Sequence, residues 1–248
     1  MIEVCDLAKS FGSNTILDGV SFRVEKGESV VIIGRSGGGK SVLLKLLIGL
    51  IKPDRGQVLI EGEDIVPMNE RELLPVRRKF GMLFQGAALF DSMTVAENVG
   101  FAFRQYRQMP AEEIRKQVAA ALELVDLPGI EEKNPSELSG GMKKRVGLAR
   151  AIIYHPQIVL YDEPTTGLDP IAADSIDRLI LRVRDRFNVT SVVVTHDMRS
   201  ARRLGQRILM LHEKRIYAAG TPGEIFDSGD PVVRRFIEGI SDPKDPRL

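Results

Sequence analysis

Residues 30–41 read Val-Val-Ile-Ile-Gly-Arg-Ser-Gly-Gly-Gly-Lys-Ser, an aliphatic run followed by a glycine-rich loop. The aliphatic run is typical of a strand buried on both faces of a parallel sheet, and the largely apolar residues 40–51 predict a buried helix. A glycine-rich turn from a strand into a helix places backbone N–H groups at the positive end of the helix dipole. The stretch therefore predicts a phosphate-binding loop at the centre of an α/β fold.

Further strands are predicted on both sides of this loop. Short apolar or alternating runs at 20–24 and 57–60 predict a β-rich edge, and β-branched runs at 158–161 and 191–195 predict strands buried on both faces. A crossover helix is expected between the last two, because apolar residues recur there at helical spacing: Ile176, Leu179, Ile180 and Val183.

Helices dominate residues 85–155. One begins at Pro110, and its apolar stripe consists of Ile114, Val118, Ala121, Leu122 and Val125. A second begins near Ser139 and turns Val146, Leu148, Ala149 and Ile152 inward. We expect Lys143, Lys144 and Arg145 of this helix to point outward as a solvated face, with contact to a partner or to lipid headgroups as the alternative.

Composition narrows the class of partner. The chain has 248 residues and a net charge of +1, which argues against a dedicated nucleic-acid binder. Its single cysteine cannot form an internal disulfide. The most apolar window, 42–51, is interrupted by Lys45 and is too short to cross a bilayer. No signal-like segment precedes the first predicted strand, so we expect any membrane span to come from another chain.

The end of the loop and the end of a later strand predict a catalytic centre. Lys40 is placed to neutralise β- and γ-phosphate oxygens, and the Ser41 hydroxyl is placed to bind Mg²⁺. Asp162 and Glu163 end an apolar strand, where parallel sheets bind their ligands. Because successive strand residues point in opposite directions, we expect Asp162 to hold Mg²⁺ through its water shell and Glu163 to polarise the attacking water.

Two more predicted strand ends carry polar side chains that are candidates for the catalytic centre. Gln85 follows an apolar run, and its neutral amide can contact Mg²⁺ or the water and still move away, so we expect a sensor there. His196 follows the strand at 191–195, and we expect it to contact the γ-phosphate. The alternatives are a surface glutamine and a structural histidine.

Residues 138–142 read Leu-Ser-Gly-Gly-Met and open a predicted helix. Within one molecule this second small-residue helix start has no obvious phosphate to bind. Its size and polarity suit the γ-phosphate of a nucleotide held by a second copy of the chain. The segment therefore predicts a dimer that closes on ATP and opens after hydrolysis.

Together these motifs, in this order and with Gly167-Leu168-Asp169 and Thr195-His196-Asp197, resemble an ABC-type ATPase subunit. The resemblance implies a P-loop NTPase core (RecA-like) with an antiparallel β edge and an inserted α-helical subdomain. The core with its β subdomain is expected at 1–84 and 156–225, the helical subdomain at 85–155, and a C-terminal helix and tail at 226–248. ATP and Mg²⁺ are the implied cofactors.

The resemblance also implies which residues contact ATP and the ion. Two ATP molecules would lie between the loop of one copy and the Ser139 segment of the other in a head-to-tail dimer, and Asp169 would cross that interface. Phe11 stands where the adenine platform is usually Tyr, with a buried core Phe as the alternative, and Met142 stands where the segment usually ends in Gln. The expected nucleotide contacts are Phe11, Gly34, Arg35, Ser36, Gly37, Gly38, Gly39, Lys40, Ser41, Val42, Ser139, Gly140, Gly141 and Asp169, and the expected metal contacts are Ser41, Gln85 and Asp162.

One branch of the family is more similar than the rest. Residues 82–90, 138–142 and 236–240 resemble the cytosolic ATPase of Mla/Mce-type phospholipid transporters. That branch implies two permease subunits, MCE substrate-binding subunits, in some members a small STAS-domain protein, and a place on the cytoplasmic face of the inner membrane. Small and large apolar residues at 85–95 predict a groove for a short permease helix, with an ordinary buried turn as the alternative.

Other functions remain open at this point. The first is an ABC importer ATPase for a polar solute such as an amino acid or an organic anion. The second is a soluble ABC ATPase acting in DNA repair or on ribosomes. The short distance between Gln85 and Ser139 disfavours a repair ATPase, because it leaves no room for an inserted coiled coil, and ribosome-acting members usually fuse two cassettes where this sequence has one. ATP hydrolysis coupled to phospholipid transport is the expectation that the motifs favour.

Overall fold

The computed structural model describes residues 1–105 and 109–241, and the predicted tail beyond residue 241 lies outside the described residues. The chain divides into two compact units, Met1–Leu73 with Val193–Leu248, and Leu74–Val192. None of the helices in the described ranges has the length and apolar character that crossing a membrane requires.

Strands and helices follow in the order that the sequence predicts. The strands are β1 (Ile2–Phe11), β2 (Asn14–Val24), β3 (Ser29–Gly34), β4 (Arg55–Ile60), β5 (Glu63–Asp64), β6 (Phe80–Leu83), β7 (Ile158–Asp162), β8 (Thr190–Thr195), β9 (Arg207–His212) and β10 (Arg215–Gly220). The α-helices are α1 (Lys40–Leu47), α2 (Glu70–Arg77), α3 (Val95–Val99), α4 (Phe101–Gln105), α5 (Ala111–Leu124), α6 (Gly140–Ile152), α7 (Pro170–Phe187), α8 (Met198–Leu204), α9 (Pro222–Phe226) and α10 (Pro231–Glu238), and a 3₁₀ turn covers Pro135–Glu137.

The first unit contains the predicted antiparallel edge. β1 pairs antiparallel with β2 and with β4, so that Ile2 lies opposite both Val24 and Ile60. All three of these side chains are buried, because alternate residues of each strand face the core. The central strand β3 runs parallel to β9, and β10 returns antiparallel beside β9. Every residue of β3 is buried, as its continuous aliphatic run predicts.

The second unit combines a parallel strand pair with helices. β6 pairs parallel with β7, from Phe80 opposite Ile158 to Leu83 opposite Tyr161. The helix predicted at Pro110 is present, since Pro110 is the N-cap of α5, and the helix predicted near Ser139 begins with Ser139 as the N-cap of α6. The four apolar residues expected to face inward from α7 are all buried: Ile176, Leu179, Ile180 and Val183.

α6 lies unusually close to β6. A β-carbon added at Gly81 would lie 2.1 Å from the carbonyl oxygen of Ala151, and one added at Gly147 would lie 2.9 Å from Leu83 Cδ1. Position 81 therefore requires glycine, because a side chain there would force the helix and the strand apart, and a side chain at position 147 would displace the side chain of Leu83. This close approach fixes α6 against β6 and against the residues that follow β6.

One expectation for α6 is wrong. Lys144 was expected on a solvated face, but it is buried, with 5% of its surface exposed. It lies four residues before Leu148 and eight before Ile152, so helical spacing places it on the buried stripe. Lys143 and Arg145 are half-buried.

Candidate functional site

The backbone of the glycine-rich loop adopts a conformation that larger residues cannot adopt. Gly39, the N-cap of α1, has φ 98°, a conformation that residues with a β-carbon rarely adopt. A β-carbon there would lie 2.9 Å from Ile16 Cγ2 and 3.0 Å from Leu17 Cδ2 on β2. One added at Gly34 would lie 2.6 Å from the carbonyl oxygen of Leu211. The loop is therefore a backbone-lined cradle at the start of a helix, which fits the phosphates of a nucleotide.

Lys40 closes this cradle. Its ammonium is buried and donates hydrogen bonds to the carbonyl oxygens of Gly34 at 2.8 Å and Arg35 at 3.1 Å. Arg35 and Ser36 are themselves exposed, and Ser41 and Val42 continue into the first turn of α1. The cation is thus held at the loop itself, where it can meet phosphate charge.

Two more predicted contacts lie in the same unit. Phe11 ends β1 with 51% of its surface exposed, so the alternative of a buried core phenylalanine is wrong. The Lys9 ammonium lies 5.4 Å from the centroid of its ring. His196 is exposed and directly follows β8, and the next residue, Asp197, caps α8. The stacking role of Phe11 and the phosphate role of His196 stay predictions.

Two adjacent carboxylates lie at the end of β7, a buried strand of the second unit. Asp162 is the last residue of β7 and Glu163 comes next, and both are almost fully buried. Glu163 has φ 48°, in a region that costs a residue with a β-carbon about 1–3 kcal/mol. The Thr166 hydroxyl donates to Glu163 Oε2 at 3.1 Å. The residue predicted to act as base therefore has a strained backbone, and a hydrogen bond fixes its carboxylate.

Lys144 joins this carboxylate to the predicted sensor. Its ammonium donates to the main-chain carbonyl oxygen of Gln85, and also to that of Glu163 at 3.2 Å. Burial lowers the pKa of Lys144, whereas the nearby carboxylates of Asp162 and Glu163 act in the opposite direction and raise it. Sequence analysis did not assign Lys144 to the site. The spacing of Lys144 from Leu148 and Ile152 was the signal that could have found it.

The small-residue segment and Asp169 lie side by side. Ser139 caps α6 by accepting from the Met142 N–H at 3.3 Å, and both Ser139 and Gly140 are exposed. A β-carbon added at Gly140 would lie 3.6 Å from Leu168 Cδ2. Next to Leu168, Asp169 caps α7 through the N–H groups of its first turn. The structure therefore brings Ser139, Gly140 and Asp169 to one exposed patch of the second unit, and the capping roles are additional to those predicted.

The family model for ABC transporters matches residues 17–166, more than half of the chain. The chain belongs to the ABC transporter family. Its biochemical class is that of an ABC transporter ATPase, a nucleotide-binding subunit that uses ATP. The predicted family and the predicted P-loop NTPase fold are confirmed.

Several curated relatives match almost all of this chain. The probable ribonucleotide transport ATP-binding protein mkl of Mycobacterium leprae is 44% identical over 96% of this chain and 69% of its own length. The chain thus spans about two thirds of the mycobacterial relatives. The intermembrane phospholipid transport system ATP-binding protein MlaF of Haemophilus influenzae is 40% identical over 98% of this chain and 92% of its own length.

Solved cassettes have the same fold. The dimeric structure of a post-hydrolysis state of an ATP-binding cassette bound to ADP and Pi superposes with a TM-score of 0.83 at 33% identity, covering 90% of this chain and 99% of that one. The cbiO1 protein of Clostridium perfringens gives the same TM-score at 28% identity, covering 94% of this chain and 93% of that one.

The position of Lys40 makes a first test possible. Replacing Lys40 by Met removes the ammonium from the cradle, so the dissociation constant for ATP should rise about tenfold to a hundredfold, the range expected for charge-assisted hydrogen bonds. Titration with a fluorescent ATP analogue measures this. Lys45→Met is the matched control, because Lys45 is an exposed lysine of the same helix, and equal losses in both variants would contradict the assignment.

Proposed function

We propose that this chain is the ATP-hydrolysing subunit of a transporter that moves phospholipid between bacterial envelope membranes. The observation that carries this proposal is the match to MlaF, which extends over nearly the full length of both chains. The chain would work at the cytoplasmic face of the inner membrane, held there by permease subunits. MCE substrate-binding subunits and, in some assemblies, a small STAS-domain protein would complete the complex.

Each predicted site residue has a part in the proposed hydrolysis. The loop from Gly34 to Ser41 binds the phosphates, and Phe11 stacks on the adenine. The proposed ligands of Mg²⁺ are the hydroxyl of Ser41, the amide of Gln85 and the carboxylate of Asp162, because each supplies oxygen of the kind this ion prefers. When bound, the ion neutralises charge on the phosphate oxygens.

Glu163 is the proposed general base. It polarises the attacking water, and Thr166 holds its carboxylate in place through the hydrogen bond to Oε2. His196 contacts the γ-phosphate, and Gln85 senses whether it is present. The strained φ of Glu163 supports this role, because backbone strain of this kind concentrates at active sites.

A second copy of the chain completes the proposed site. The helix start begins with the exposed Ser139 and Gly140, and because Gly140 and Gly141 carry no β-carbon, their backbone N–H groups are open to a phosphate. It would contact the ATP held by the loop of the other copy, with Asp169 of the same exposed patch at the interface. The dimeric arrangement of the solved cassette, similar to this chain at 33% identity, supports this.

The segment at 85–95 is shaped for a membrane partner. Arg150 donates to the carbonyl oxygens of Ala87 and Ala88 at 2.6 and 2.7 Å, and these two residues have positive φ. The side-chain amide of the fully buried Asn98 accepts a hydrogen bond from the main-chain N–H of Phe90 and donates one to its carbonyl oxygen. A backbone fixed by these hydrogen bonds supports the proposal that this segment docks a short permease helix.

Phe90 is the most exposed large side chain of this segment. With 44% of its surface exposed, it does not belong to an ordinary buried turn, and its ring lies 4.9 Å from that of Phe101. The helical subdomain proposed for residues 85–155 thus offers an exposed aromatic side chain five positions after the proposed sensor Gln85.

Ribonucleotide transport is the second candidate, because mkl carries that name at 44% identity. The match to mkl leaves about a third of that protein uncovered, whereas the match to MlaF leaves little of either chain. Phospholipid transport is therefore the better-supported function. Analysis of the molecule retained by the complex, described below, separates phospholipid transport both from ribonucleotide transport and from import of another polar solute.

The role of Glu163 predicts a separation of binding from turnover. Glu163→Gln keeps the size of the side chain but removes the base, so ATP binding should persist while the hydrolysis rate falls about a hundredfold or more. Phosphate release and light scattering in the presence of ATP measure this, and the variant should accumulate as a dimer. The control is Glu123→Gln on the exposed side of α5. Sustained hydrolysis by Glu163→Gln would overturn the assignment.

The substrate is tested on the complex taken from membranes. Native mass spectrometry after mild extraction should show this chain with a permease and with bound phospholipid. The matched control carries Phe90→Asp, which should lose the permease and the lipid together. Recovery of a permease with a retained nucleotide or other polar solute and no lipid would contradict the phospholipid proposal.

A further inference from the structure

One buried cation contacts two segments that carry proposed catalytic side chains. The Lys144 ammonium donates to the main-chain carbonyl oxygens of Gln85 and Glu163, which are 78 positions apart in the sequence. These bonds go to the backbone, so the side chains of Gln85 and Glu163 keep their own chemistry. Lys144 therefore links the two segments without occupying the groups that would react.

The backbone at Glu163 needs such a contact. Its φ of 48° is unfavourable for a residue with a β-carbon, and a conformation of this kind persists only when the surroundings determine it strongly. Lys144 holds the carbonyl of Glu163, while Thr166 holds the carboxylate. Without the ammonium, the carboxylate would lose one of the contacts that fix its direction.

The other end of the contact concerns Gln85, whose side chain is exposed. Gln85 lies two residues after the end of β6, and Lys144 on α6 donates a hydrogen bond to its main-chain carbonyl oxygen. Lys144 lies four residues beyond Gly140, one turn into the helix that begins at Ser139. A displacement of the start of α6 therefore reaches the backbone of both Gln85 and Glu163 through one side chain.

We propose that Lys144 is a positioning residue for ATP hydrolysis, which fixes the separation of Gln85 and Glu163 and couples it to the position of α6. This rests on the proposed roles of Gln85 and Glu163. Lys144 does not touch the nucleotide in this scheme. It acts on the rate of the chemical step, because a small misplacement of a base or a sensor slows a reaction strongly.

The test compares two replacements at position 144. Lys144→Met keeps most of the unbranched side chain and removes every donor, so kcat should fall about tenfold or more. KM for ATP should change little, since the loop from Gly34 to Ser41 is untouched. Lys144→Gln restores N–H donors without the charge, and its kcat should lie clearly above that of the Met variant. Steady-state phosphate release and titration with a fluorescent ATP analogue supply the values.

Lys143→Met is the matched control. It removes the same charge from the neighbouring, half-buried position and should leave kcat and KM near those of the unaltered protein. An unaltered kcat in Lys144→Met would overturn the proposal. So would equal loss of kcat in the Met and Gln variants, or loss of ATP binding in both, because Lys144 would then support the fold alone.

The outcome is separable from the fate of the proposed function. If the unaltered protein hydrolyses ATP but its complex retains no phospholipid, the transport proposal fails and the positioning role of Lys144 is still measured. If Glu163→Gln hydrolyses ATP normally while Lys144→Met is slow, the assignment of the base fails, and Lys144 then acts through Gln85 only, which overturns the link between the two residues.

Discussion

The close approach of α6 to β6 is the constraint on which the second unit depends. A β-carbon at Gly81 would clash with the backbone of α6, and one at Gly147 would press on the side chain of Leu83, so with glycine at both positions the helix lies against the strand. Lys144 and Arg150 then reach the carbonyl oxygens of residues 85, 87 and 88 from the same helix. The bonds to residues 85 and 87 are partly buried and costly to leave unmade, so α6 and this segment hold one geometry.

That constraint gives the proposed site its organisation. The helix that starts at the exposed Ser139 is bonded along its length to the proposed sensor, to the proposed base and to the segment proposed for permease docking. Strained backbone occurs at the points where these bonds are made, at Ala87, Ala88 and Glu163. Such strain requires support from the surroundings, and α6 supplies it at all three. The phosphate cradle of the first unit depends instead on Gly39 and Lys40.

Much of this could be predicted from local patterns. The cradle, the strand before it and the helix starts at Pro110 and Ser139 each follow from residues that are adjacent in sequence, and the structure confirms them. The charge of Lys144 favours a solvated position, whereas its helical spacing from Leu148 and Ile152 favours the buried stripe, and the structure follows the spacing. Lys144 bonds to the main-chain carbonyl of a residue 59 positions away and to that of a residue 19 positions away, and the carbonyls bonded by Arg150 lie 62 and 63 positions away. Every residue has a carbonyl, so no sequence pattern marks these partners.

The most direct test of the account asks whether the site is shared between two copies. Lys40→Met disables the loop, and Gly140→Asp places a negative charge at the exposed helix start, where a β-carbon meets only ordinary contacts. With ATP held below the raised dissociation constant of Lys40→Met, each variant alone should hydrolyse ATP far more slowly than the unaltered protein. If the loop of one copy works with the Ser139 segment of the other, a mixed dimer contains one intact site, so mixing the two proteins should restore hydrolysis. A mixture no more active than its separate components would contradict the account.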